Sequence, residues 1–251
     1  MAEVQTDIDG GVAVLTLDAP DRRNALTLAM VDEVAAALDA IEADPDVRAI
    51  VVTGTAPAFC AGADLSHLGA SQREGLLRIY EGFLRIGRSP LPSIAAVNGA
   101  AVGAGVNLAL VCDVIVAGRS ARFDTRFLQL GLHPGGGHTW MLQRRVGPQA
   151  AAAMVLFGRV LDGPAAADVG LAWSCVEDDE LLAACREMAG VAAAAPRELV
   201  ELIRSTMLDV RTIDDHAAAV ERELGPQVHT INQPAFQEKL AAMQRRISSR
   251  G

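Results

Sequence analysis

Up to about residue 177 the chain switches between a two-residue and a helical hydrophobic period, and beyond that the helical period continues almost alone. Residues 12–18, VAVLTLD, alternate and predict a strand, and DAPDRRN (18–24) predicts a turn. Leu28, Val31, Val34, Leu38 and Ile41 recur at helical spacing across 25–42, and DPD at 44–46 ends that helix. Residues 47–53, VRAIVVT, form a continuous apolar run, as expected of a strand covered on both faces. GTAPAFCAGADL follows as a loop of small residues. Leu76, Leu77, Tyr80, Phe83, Leu84 and Ile86 give 71–88 an amphipathic helical stripe, which Pro90 and Pro92 stop.

The next stretch, SIAAVNGAAVGAGVNLALVCD (93–113), is the one the others surround. It opens as a buried strand, passes through Gly99, Gly103 and Gly105, and turns apolar again with helical spacing. A helix start leaves its first N–H groups without partners, and small residues let a ligand approach that backbone. AFCAGADL (58–65) has a similar design upstream, so the two segments are read as jointly holding one carbonyl oxygen. VIVAG (114–118) then predicts a strand, RSARFDTR a polar stretch, and 127–147 a glycine-rich turn with a helix start near His138. Residues 148–159 are Ala-rich and helical, LDGPAAADVGL (161–171) reads as turn, short helix, turn, and WSCVE (173–177) as a last strand. From about 180 onward helices follow, punctuated by Pro196, Pro226 and Pro234. Strands alternating with helices, then helices alone, define an α/β core with a helical C-terminal part and no repeat of fixed period.

Composition narrows the function. A chain of 251 residues suits one large domain or a domain with an appendage, and 51% hydrophobic with 4% aromatic content means a core of Ala, Val, Leu and Ile. A net charge of −9 argues against nucleic acid as the partner, because phosphate-backbone binding needs a basic surface. Cys60, Cys112, Cys175 and Cys185 form no CxxC pair and are expected as free thiols of a reducing, cytoplasmic setting. The N-terminus lacks the basic start and apolar core of a signal peptide. Pro92, Asn98, Asn107 and Asp113 interrupt the apolar run 91–118, which is therefore expected as buried core, with no membrane partner. GAG at 103–105 is not a dinucleotide fingerprint, since the third glycine would fall at Leu108. There is no GxSxG, Walker A or HExxH motif, and His133 with His138 makes a poor metal pair, so no metal is expected.

AFCAGADL and AAVGAGVNLALVCD, about 40 residues apart, resemble the crotonase superfamily, also called the enoyl-CoA hydratase/isomerase family. DRRNAL (21–26), FDTRFLQLGLHPGGGHTWML (123–142), LDGPAAADVGL (161–171) and AFQEK (235–239) extend the resemblance in order over most of the chain. The resemblance implies an α/β crotonase (ClpP-like) fold, a spiral of ββα units, over 1–190 with the acyl-CoA site. It implies a helical region at 191–251 for oligomerisation and CoA covering, in a homotrimer or dimer of trimers. The shared chemistry is stabilisation of an enolate at an acyl-CoA thioester; coenzyme A comes as part of the substrate and no tightly bound cofactor is implied. By position the oxyanion donors are the backbone N–H groups of Ala63 and Ala104. Arg23, with Arg22 as second candidate, falls near the CoA phosphates; Ala25, Ala61, Asp64 and Leu65 line the adenine and pantetheine path. Phe236 and Lys239 match C-terminal residues that reach the CoA.

The chain departs from the pattern where acid–base chemistry would sit. The two glutamates of the family's hydratases fall on Asn107 and Phe127, and the aspartate of related isomerases on Gly135. An amide and a phenyl ring transfer no proton at neutral pH. His138, His67 and Asp124 are the candidates to take over, against structural roles such as an ion pair of Asp124 with Arg126. The expected function is an acyl-CoA enzyme with non-standard chemistry or weak hydratase activity; the alternative is a non-catalytic acyl-CoA carrier.

Overall fold

In the computed structural model, which describes residues 2–64 and 72–248, the chain contributes strands to two sheets at once. β1 (Val4–Asp9) and β2 (Val12–Leu17) form an antiparallel hairpin, followed by α1 (Leu28–Ala43). β3 (Ala49–Gly54) and β4 (Ala58–Cys60) precede α2 (Gln72–Gly87); β5 (Ser93–Val97) and β6 (Ala100–Val102) precede α3 (Ala104–Leu110). β7 (Val114–Gly118) and β8 (Arg122–Asp124) lead, through a glycine-rich turn, to α4 (His138–Val155). β9 (Leu161–Asp162), α5 (Gly163–Asp168), β10 (Ser174–Val176) and α6 (Leu181–Ala193) complete this part. The larger sheet runs β1-β2-β3-β5-β7-β10 and is parallel except for β1; the smaller runs β4-β6-β8-β9, with β9 antiparallel. Three successive strand pairs thus place their first member in the large sheet and their second in the small one. That is a spiral of ββα turns.

Local sequence explains the elements. Thr27 caps α1 by accepting the Met30 amide at 3.1 Å, and Met30, Val31, Val34, Leu38 and Ile41 form its buried stripe. The apolar run of β3 is buried on both faces. Ile50 and Val52 join the main core with Phe59, Phe83 and Phe123, whereas Ala49 and Val51 face Leu181, Cys185 and Ala189 of α6. The four cysteines are free, and three of them are buried.

Several elements differ from the sequence expectation. β1 carries the polar run VQTDID and is mostly exposed, so no hydrophobic alternation announces it. β4, β6 and β8 are three residues each and lie in stretches read as loop or turn. The helix expected to start near His138 and the Ala-rich helical stretch expected from 148 both form, and they meet at a kink at Gly147 (φ 76°, ψ 169°) and Pro148.

Ala195–Gly251 forms its own compact unit. It consists of α7 (Arg197–Asp209), α8 (His216–Ile231) and α9 (Pro234–Ser248). Pro196 precedes α7 and Pro234 opens α9, but Pro226 sits inside α8 rather than ending a helix. Ile203, Met207, Val220, Leu224, Val228, Met243 and Ile247 are exposed in this unit. No helix among the described residues is long and apolar enough to cross a membrane.

Candidate active site

Two parallel strands of the small sheet end side by side and turn together. β4 pairs with β6 through Ala58↔Ala100 and Cys60↔Ala101, so the turns Ala61–Ala63 and Gly103–Ala104 leave the sheet at one edge. They are nested so tightly that side chains do not fit between them. A Cβ on Gly62 would stand 2.8 Å from the Val102 carbonyl oxygen and 3.8 Å from the Ala104 nitrogen. A Cβ on Gly105 would collide with the carbonyl oxygen of Cys60 and lie 2.9 Å from its carbon. Gly103 adopts φ 52°, ψ −109°, a backbone conformation open to glycine.

The turns leave two amides available. Leu26 bridges the first turn on its far side, donating to the Gly62 carbonyl at 2.8 Å and accepting from Asp64 at 2.9 Å. That alternation turns the Ala63 N–H the other way, and it meets no acceptor among the described residues. Ala104 is the first residue of α3, and its N–H likewise has no acceptor among them. Both residues line a cavity of about 140 Å³ whose walls include Leu76, Ile79, Tyr80, Phe127, Leu130 and Leu132. An apolar cavity with two free donors at its base can hold an anionic oxygen in a medium where each donor counts for more than in water.

Three positions singled out in the sequence meet beside this cavity. Asn107 is 1% exposed; its Nδ2 donates to the Gly135 carbonyl at 3.0 Å, which leaves Oδ1 as acceptor. His138 Nδ1 lies 2.6 Å from that Oδ1, so the imidazole carries its proton on Nδ1. Nε2 is then a bare lone pair, buried and without a partner among the described residues. The Phe127 ring closes on the imidazole edge-on, with centroids 4.9 Å apart. His138 is not part of the cavity wall; Asn107 and Phe127 are. Burial pushes His138 down to about 4 from its usual 6.5, so it is neutral at physiological pH.

That neutrality has a measurable consequence. As pH falls from 6.5 to 4, the unfolded chain protonates this histidine and the folded protein does not. The stability it contributes is complete above 6.5 and is lost through that window, by about 3 kcal/mol at the acid end. Urea denaturation should show the stability gap between wild type and His138→Gln shrinking by about that amount from neutral to acid pH. A gap independent of pH would mean that His138 is not held neutral.

The remaining candidates separate. The Asp124 carboxylate is engaged by Arg126 and does not line the cavity. Arg22 is paired with Glu3, whereas the exposed Arg23 makes no ion pair with a described residue. Arg23 sits in the left-handed region (φ 54°), and its carbonyl accepts the Ala61 amide at 2.9 Å, tying the basic turn to the first amide-bearing turn. Ala25 and Asp64 flank that junction, and Ala61 lines the cavity. Leu65 and His67 lie outside the described residues. Phe236 and Lys239 line an apolar groove of the C-terminal unit together with Leu199, Leu202 and His229. Cys60, at the end of β4, is a buried thiol pushed up to about 12 by burial and is no nucleophile at neutral pH.

Sequence reasoning missed two residues. Asn24, fully buried, accepts the Ala19 amide at 2.9 Å and donates to the carbonyls of Thr55 and Ala58, holding the basic turn against β4. Its φ of 56° is one that asparagine tolerates, which is the one local signal available. Tyr80 read as one member of an apolar stripe, yet it reaches the cavity.

Comparison with known proteins places the chain. The family model described as enoyl-CoA hydratase/isomerase matches residues 7–247. The chain belongs to that family, within the crotonase superfamily, and its two-sheet spiral is the crotonase fold. A probable enoyl-CoA hydratase of Mycobacterium tuberculosis is 51% identical, with 97% of this chain and 98% of that protein covered. A 1,2-epoxyphenylacetyl-CoA isomerase of Escherichia coli is 34% identical, with 84% of each chain covered. The solved structure of an enoyl-CoA hydratase from Mycobacterium smegmatis superposes with a TM-score of 0.90 at 30% identity, covering 97% of this chain and 96% of that one.

Proposed function

We propose that this protein binds an acyl-CoA thioester and stabilises the enolate formed from it, with the N–H groups of Ala63 and Ala104 donating to the thioester oxygen. The observation that carries this reading is the pair of unpartnered amides at adjoining strand ends on one apolar cavity. Each such donor contributes roughly 3 kcal/mol when the charge develops in the transition state. α3 is only seven residues long, so the donors themselves matter more than its dipole. Coenzyme A enters as part of the substrate, with Arg23 at its phosphates and Ala25, Ala61 and Asp64 along its path; Arg22, occupied by Glu3, is the weaker candidate. Assembly as a homotrimer or dimer of trimers through the C-terminal unit is supported by the apolar side chains that unit exposes. Free cysteines and an acidic balance support a cytoplasmic setting.

The reaction this arrangement favours is one that needs an enolate without two glutamates: an isomerisation, decarboxylation or hydrolysis, with hydration as a weak activity. The alternative of a non-catalytic carrier draws on a specific observation. Both atoms of the Asn107 amide are occupied, and the imidazole behind it does not reach the wall. Turnover of any acyl-CoA that depends on the cavity residues would exclude the carrier.

Calorimetric titration with butyryl-CoA tests the common core of both readings. Arg23→Ala should weaken binding about 10-fold and reduce its dependence on salt, since a charge-assisted contact to phosphate is removed. An unchanged affinity would take Arg23 out of the site.

A further inference from the structure

Most polar side chains on the cavity wall are already spoken for. Asn107 is bonded through Nδ2 to Gly135 and through Oδ1 to His138. Thr125 Oγ1 donates to the Met154 carbonyl at 2.9 Å, and Arg126 is paired with Asp124. His133 is exposed, with Nδ1 turned to the Pro134 carbonyl at 2.7 Å. The hydroxyl of Tyr80, the chain's single tyrosine, has no hydrogen-bond partner among the described residues. It also stands at a telling place. A Cβ on Gly135 would run into this hydroxyl first, with the ring carbon that bears it 3.2 Å away. The tyrosine therefore fills the space from which a side chain at 135 would extend into the cavity. Its ring is held by Phe83 at 5.8 Å between centroids.

A phenol on an apolar wall loses its water when a ligand fills the cavity, and that loss is unfavourable unless the ligand offers a partner. We infer that Tyr80 is a specificity-determining residue that hydrogen-bonds an oxygen on the acyl chain beyond the thioester, so that the preferred ligands are hydroxy-, oxo- or epoxy-acyl-CoA thioesters rather than plain hydrocarbon ones. The inference rests on the acyl-CoA reading of the site. Sites built to bond a substrate oxygen discriminate strongly against analogues lacking it, because the protein group is then left buried and unpaired.

The test compares affinities of the full-length protein for butyryl-CoA, both enantiomers of 3-hydroxybutyryl-CoA and 4-hydroxybutyryl-CoA by calorimetry. At least one oxygenated thioester should bind about 10-fold or more tightly than butyryl-CoA in the wild type. Tyr80→Phe should abolish that preference while binding butyryl-CoA as well as or better than wild type, which also shows that the variant is folded. Equal affinities across the series in wild type, or a preference that survives in Tyr80→Phe, would overturn the inference and leave the acyl-CoA reading standing. Failure of all four thioesters to bind would remove the acyl-CoA reading and the inference with it.

Discussion

Crotonyl-CoA offered to this protein should lose its conjugated absorbance about 10² to 10⁴ times more slowly than with a hydratase that carries both glutamates. The expectation rests on the resemblance, which matches the two glutamates of the family's hydratases to Asn107 and Phe127, neither of which transfers a proton at neutral pH. Asn107 is locked between the Gly135 carbonyl and the His138 imidazole, and an amide neither gives nor takes a proton at neutral pH. Phe127 presents a ring to the cavity and to His138. His138 does not line the cavity; its Nδ1 is bonded to Asn107 Oδ1 and its Nε2 is buried without a partner among the described residues. On the proposed reading, what would remain is stabilisation of oxygen charge by the two backbone amides, which would speed enolate formation but deliver no water. A rate matching that of a two-glutamate hydratase, measured side by side, would show that another group supplies the missing proton transfers.

Gly105→Ala should damage both the fold and the site. The new methyl would meet the Cys60 carbonyl oxygen and lie 3.1 Å from the Cys60 Cβ, and these obstacles belong to the backbone and root of β4 rather than to a mobile side-chain tip. Relief requires α3 to back away from β4, which separates the Ala104 amide from the Ala63 amide. Overpacking of this kind costs about 3 kcal/mol, and butyryl-CoA affinity should fall at least 10-fold as the two donors lose their common focus. Gly190→Ala is the matched control. It lies within α6 with open space around its Cβ position, so the same substitution should stabilise by about 0.5–1 kcal/mol and leave binding unchanged. Denaturant melts and calorimetry on the two variants decide the matter; wild-type behaviour of Gly105→Ala would contradict the nesting of the two turns.

Much of this arrangement is legible along the chain because its causes are local. The stripe of α1, its Thr27 cap and the two-faced burial of β3 follow from hydrophobic period and short-range hydrogen bonding. The two glycine-containing segments stand out because small residues are needed wherever backbones approach closely, and both do flank the cavity. Elements without a local signature were missed. β4, β6 and β8 are too short to show a period and are strands through their pairing with each other. β1 is polar and exists through its ladder to β2.

By itself, the amino-acid order determined the α/β alternation, the helical C-terminal part and the two small-residue turns, since each depends on residue identity or on neighbours within a few positions. Tertiary structure alone decided which side chains are free to act. Asn107 and His138 meet across 31 residues, Asn24 reaches 34 residues to the Ala58 carbonyl, and Tyr80 comes to stand over Gly135. Whether a polar atom is spent on a neighbour or left for a ligand is set by contacts between distant segments, and those contacts come into being when the two sheets and their helices close around a shared core.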